Sequence, residues 1–108
     1  MEQTKTTPRI FNDAKTKFLP PWNVVLLDDS DHTYDYVIEM LQSIFRHSRS
    51  TAFRMAVEVD TAGRVIVYTG PLEHAEMKRD QIHSYGADYR IYWSEGSMSA
   101  VLEPAEGE

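Results

Sequence analysis

The chain has 108 residues, 42% of them hydrophobic, a formal net charge of −6 and no cysteine. That length suits one small domain, no apolar run is long enough to span a membrane, and without thiolates neither disulfides nor cysteine zinc sites can form. Residues 1–18 carry a net +2, from Lys5, Arg9, Lys15 and Lys17 against Glu2 and Asp13, which leaves −8 on residues 19–108. So acidic a body argues against nucleic acid or an anionic membrane as partner and favours a cationic ligand.

Residues 1–19 read as a flexible tail, polar and without apolar periodicity. The start, Met1-Glu2-Gln3-Thr4-Lys5, lacks an apolar signal core, so a cytoplasmic location is expected. Pro20-Pro21 opens a folded core of residues 20–104, because paired prolines favour an extended entry into a strand. Residues 105–108 form an acidic end.

Val24-Val25-Leu26-Leu27 reads as a buried strand running into Asp28-Asp29-Ser30-Asp31-His32. Thr33 then suits the N-cap of a helix whose apolar residues, Val37, Met40, Leu41, Ile44 and Phe45, recur at spacings of three and four. A second helix starts near Ser48 or Ser50. Its stripe is Ala52, Phe53, Ala56 and Val57, and Asp60-Thr61-Ala62-Gly63 breaks it. Val65 to Thr69 is rich in β-branched residues and predicts a strand ended by Gly70-Pro71. A helix over 71–85 follows, with a thin stripe of Leu72, Ala75 and Ile82 and Gly86 at its close. Ser97 to Leu102 predicts a last strand, and Ile91-Tyr92-Trp93 an additional short one. The order β-α-α-β-α-β implies an α+β fold, with three helices layered on a small three-stranded antiparallel sheet.

The acidic turn is the chemical focus. Several aspartates in one turn repel one another, so folding them together calls for a cation, a donor ligand or backbone amides. On the residues alone, Asp28 and Asp29 suit capping of the following helix as well as ligand binding, and Asp60 suits a helix-terminal turn. A calcium loop counted from Asp28 to Glu39 fails, since its sixth position is Thr33 rather than glycine. His74 and His83 are not spaced as paired metal ligands on one helix face. No metal or cofactor is expected. Enzyme motifs are missing too, with no cysteine nucleophile and no Gly-x-Ser-x-Gly. A phosphoacceptor receiver domain shares the opening strand and acid pair, but it needs five alternating strands and a late strand-end lysine, and Lys78 falls inside a helix.

Pro20-Pro21, Asn23-Val24-Val25-Leu26-Leu27-Asp28-Asp29 and Tyr36-Val37-Ile38-Glu39-Met40-Leu41 resemble the ClpS family of Clp protease adaptors. The resemblance continues through Val59-Asp60-Thr61-Ala62-Gly63-Arg64, Ala75-Glu76-Met77-Lys78 and Leu102-Glu103. It implies a ClpS-like fold and a non-enzymatic adaptor of the N-end rule. Such an adaptor binds N-degrons, chains with a destabilising and usually bulky hydrophobic first residue (Phe, Trp, Tyr or Leu), and hands them to a Clp AAA+ unfoldase. A free α-amine is a cation with three donors, so its recognition needs about three converging acceptors. By resemblance Asp28, Asp29 and Asp60 hold the amine, with Ser30 where the family has a second aspartate. Aspartate replaces the family's asparagine at 28 and its histidine at 60. Tyr34 stands where the family has a gating methionine, and Val37, Val59 and Met98 line the side-chain pocket. Glu73 and Lys78 match charged positions that touch the N-terminal domain of a ClpA- or ClpC-type unfoldase. The substitutions at 28, 34 and 60 leave open a diverged module with another N-terminal specificity or an internal-motif partner.

Overall fold

A computed structural model describes residues 19–105. The tail assigned to residues 1–19 lies, except for Leu19, outside the described residues, as does most of the acidic end. The elements are β1 (Trp22–Leu27), α1 (Tyr34–Phe45), α2 (Arg49–Ala62), β2 (Arg64–Gly70), α3 (Leu72–His83) and β3 (Ala100–Pro104). They form a three-stranded antiparallel sheet in the order β2-β1-β3, layered against three helices, as the α+β reading expects.

The first strand to be made is the middle one. β1 runs Trp-Asn-Val-Val-Leu-Leu, and its four inner residues are buried. Flanked on both sides, it has no exposed edge, which suits a sequence with so little polarity. Val24 and Leu26 face the helices, joining Val37, Met40, Leu41, Ala52, Ala56, Val59, Val67 and Ile82 in one core. Each fully buried aliphatic side chain there contributes about 2 kcal/mol. The register slips between Val24 and Val25, pairing them with Tyr68 and Ile66 and leaving Val67 as the extra residue of a bulge. Its carbonyl accepts from His47 Nε2 at 2.9 Å, tying β2 to the segment between α1 and α2.

On the opposite face of the sheet Val25 is fully buried although its neighbours Ile66 and Val101 are exposed. Arg64 of β2 reaches across β1 to Glu103 of β3, Nη2 to Oε1 at 2.6 Å. This ion pair straps the two edge strands together over Val25.

Thr33 caps α1, its hydroxyl accepting from the Tyr36 N–H at 3.2 Å, and Ser48 caps α2 in the same way through the Thr51 N–H at 3.1 Å. α2 ends within the Asp60-Thr61-Ala62-Gly63 stretch, as expected. It continues to Ala62 and stops at Gly63, whose φ of 85° only glycine adopts readily. Its buried stripe is Ala52, Ala56 and Val59, whereas Phe53 is 51% exposed. The small alanines let α2 lie close to α1, so the larger Phe53 is turned outward.

Two further expectations are corrected. Ile91-Tyr92-Trp93 is not a strand. The Asp88 carbonyl accepts from the Ile91 N–H and the Ile91 carbonyl from the Ser94 N–H, both at 3.1 Å, so this stretch closes short turns on itself instead of offering a ladder. The last strand begins at Ala100 rather than Ser97, and the Ser97 hydroxyl instead accepts from the Gly86 N–H at 2.6 Å, tying that residue to the chain beyond α3. α3 ends at His83, with Gly86 turning the chain beyond it at a φ of 112°.

Candidate functional site

At the end of β1 the chain is held from two sides. The Leu27 N–H donates to the Ser99 carbonyl and the Asp28 N–H to the Gly63 carbonyl, each at 3.0 Å. The second bond sets the acidic turn against the C-terminus of α2, where Asp60 occupies the last turn ahead of Gly63. From the start of α1, Tyr34 completes the corner. Its hydroxyl donates to Asp60 Oδ2 at 2.7 Å. That bond first, then desolvation and the charges of Asp60 and Asp28, pushes the phenol above its ordinary pKa, so it stays protonated at neutral pH. The tyrosine ring sits 6.2 Å from the ring of Phe53, about two turns back along the same stripe of α2.

Asp29 is engaged within the turn. Asp29 Oδ1 accepts from the Asp31 N–H at 2.9 Å and lies 2.8 Å from His32 Nδ1. The His32 ring is nearly buried, at 3% side-chain exposure, and its Nε2 donates to the Gly96 carbonyl at 2.7 Å. It therefore bridges the acidic turn to the segment joining α3 and β3. The Ser30 carbonyl takes a long bond, 3.4 Å, from the Trp93 indole.

That same segment is fixed to α1 by Asp88, a carboxylate only 1% exposed. One oxygen accepts from the Thr33 N–H and hydroxyl at 2.7 and 2.8 Å, the other from the Arg90 N–H and guanidinium, both at 3.0 Å. Burial alone pushes this carboxyl up, but the four donors outweigh it and hold it at about 2. Arg90 also reaches Glu39 of α1, at 2.6 Å.

The structure thus brings Asp28, Asp60 and Tyr34 to one corner, while Asp29 faces His32 and Ser30 meets Trp93. Val37, Val59 and Met98 lie behind in the core, at 4%, 2% and 2% exposure. Glu73 is exposed in the first turn of α3. Lys78 turns inward, its Nζ donating to the Ile44 carbonyl at 2.8 Å and resting 5.5 Å from the Phe45 ring. It closes the C-terminal end of α1, which has no basic residue of its own in its last turn. An apolar cleft of about 260 Å³ opens at the far end of β1, between Pro20, Pro21, Trp22 and Leu72. Its lining holds no titratable group, so it offers nothing to an amine.

Sequence reasoning assigns no site role to His32, Asp88, Arg90 or Phe53. Asp88 and Arg90 carry no local pattern, because their partners Thr33 and Glu39 are distant in the chain. The histidine among aspartates is the one visible signal.

The site is thus a corner of two acids and one phenol on a small α+β domain with its helices on one face. A family model described as ATP-dependent Clp protease adaptor protein ClpS matches residues 17–90. An ATP-dependent Clp protease adapter protein ClpS from Nautilia profundicola is 32% identical over 81 residues, covering 75% of this chain and 81% of that relative. One of the same description from Streptomyces coelicolor is 27% identical over 86 residues, 80% of this chain and 88% of the relative. The structure of Agrobacterium tumefaciens ClpS2 bound to L-phenylalaninamide superimposes with a TM-score of 0.68 at 22% identity, over 80% of this chain and 98% of that one, and shows the shared fold. The chain belongs to the ClpS family of Clp protease adaptors.

Proposed function

We propose that this adaptor binds the free α-amine and bulky side chain of an N-terminal residue at the corner of Asp28, Asp60 and Tyr34, and delivers the chain that carries it to a Clp unfoldase. The observation that carries the reading is the convergence of the end of β1, the start of α1 and the end of α2 on one acidic point. A cation with three donors suits such a point, and carboxylates in place of neutral acceptors strengthen each bond. Asp29 and Ser30 support the turn, and Val37, Val59 and Met98 supply the apolar wall. A reducing, cytoplasmic setting fits a chain without cysteine. Glu73, next to the apolar cleft at the start of α3, is the better candidate for the unfoldase contact, since Lys78 already serves α1.

The test is fluorescence anisotropy with peptides that differ only in the first residue, together with an N-acetylated copy of the best binder. A hydrophobic subset should bind and acetylation should abolish it; binding that ignores acetylation refutes the reading. Tyrosine at 34 is larger and stiffer than methionine, so Tyr34→Met should reorder the preference among Phe, Tyr, Trp and Leu. An unchanged order removes Tyr34 from the side-chain pocket.

A further inference from the structure

The hydroxyl of Tyr34 makes a bond that a side-chain gate does not require. A gate acts by bulk, and an apolar pocket has no use for a polar oxygen at its mouth. Here that oxygen is anchored on Asp60 at 2.7 Å, and the Asp28 charge acts on the same phenol from the end of β1.

A phenol has one hydrogen to give and two lone pairs to offer. Tyr34 gives its hydrogen to Asp60 Oδ2, which leaves its lone pairs and Asp60 Oδ1 as acceptors. Donating to a carboxylate polarises the O–H bond and makes the phenol oxygen a stronger acceptor than a free tyrosine would be. The Asp60 bond also points the phenol away from any second donor role toward the ligand. With Asp28 there are then three acceptor groups from three elements, the number that an α-ammonium requires. The ring itself is steadied by Phe53, so the oxygen is held from both ends of the side chain.

We propose that the Tyr34 hydroxyl is a direct acceptor for the ligand's α-ammonium, oriented by its bond to Asp60, and that Tyr34 is therefore an amine-binding residue. This rests on the reading that the corner binds a free amine. Asp60 then acts in two ways, as a charge facing the amine and as the group that aims the phenol.

The experiment is calorimetric titration of the full chain with L-phenylalaninamide and N-acetyl-L-phenylalaninamide, repeated with Tyr34→Phe, which keeps the ring against Phe53 and removes only the oxygen. The affinity of Tyr34→Phe for the free amine should fall about tenfold, the scale of one hydrogen bond to a charged group, with the weak acetylated ligand unaffected. An unchanged affinity, or a tighter one because a competing hydroxyl has gone, overturns the assignment while leaving the proposed function standing. If the wild-type chain binds neither the amide nor any free-amine peptide, the proposed function fails and this assignment falls with it. Should Tyr34→Phe fold poorly, ¹³C-labelled tyrosine in the wild-type chain decides the matter. The Tyr34 Cζ resonance should shift on adding the free amine and stay still with the acetylated form; no shift with the bound amine refutes direct contact.

Discussion

Asp88 is the residue on which the corner's framework depends most. Replacing it with alanine strands the Thr33 N–H, the Thr33 hydroxyl and two Arg90 donors in a nearly buried place. Unfolding in urea should show a loss of about 3 kcal/mol. The pH dependence follows from its depressed pKa. Since the folded carboxyl titrates at about 2 and the ordinary value is 3.8, its contribution is complete above about pH 4 and disappears as pH falls toward 2. That shift corresponds to about 2 kcal/mol. Acid titrations of wild type and Asp88→Asn should therefore differ in this window, the variant losing less stability than the wild type as pH falls from about 4 to about 2; parallel curves refute the role. At this scale the sequence is only partly legible. The crowding of Asp28, Asp29 and Asp31 at a strand end is visible in the sequence, whereas Ser30 and Asp60 are singled out only by the family resemblance. The sharing of work among them is not visible, since His32, Gly96 and Trp93 meet the turn only after the chain has folded.

Among the elements, α2 does most to position the corner, because its C-terminal stop sets both Asp60 and the Gly63 carbonyl that receives Asp28. A Cβ added at Gly63 would meet open space, but the φ of 85° strains any other residue there. Gly63→Ala should cost about 1 kcal/mol in thermal or chemical unfolding, and Gly63→Asn less, since asparagine tolerates the left-handed region. Equal costs would show that the backbone conformation is not the cause. At the end of α1, Lys78→Met removes the bond to the Ile44 carbonyl and the contact with Phe45 while keeping the stem, and should lower stability by about 1 kcal/mol. A variant of unchanged stability would show that these contacts do not hold the end of α1. Helices and strands with strong period are legible: α1 from its three-and-four spacing, β2 from its β-branched run. Phe53 and Ile91-Tyr92-Trp93 mislead for one reason. Both are apolar, and local pattern cannot tell a residue that packs inward from an aromatic left at the rim.

Taken as a whole, the molecule sets an acidic body, −8 over residues 19–108, around a site proposed to receive a cation. Association of a free-amine peptide should slow a few-fold as ionic strength rises from about 0.02 to about 0.2 M, with dissociation changing less. Stopped-flow anisotropy would measure both, and a salt-independent association rate would exclude steering. The layered α+β arrangement is legible from element order, whereas the Arg64–Glu103 strap across Val25 joins residues that no local pattern links. The central place of β1 bears on how the domain withstands force. A pull on the chain ahead of Trp22 loads the ladders to β2 and β3 together, in shear, and the strap resists their separation. A pull beyond Pro104 meets one ladder only. The domain is thus expected to resist a pull from its N-terminal side better than one from its C-terminal side.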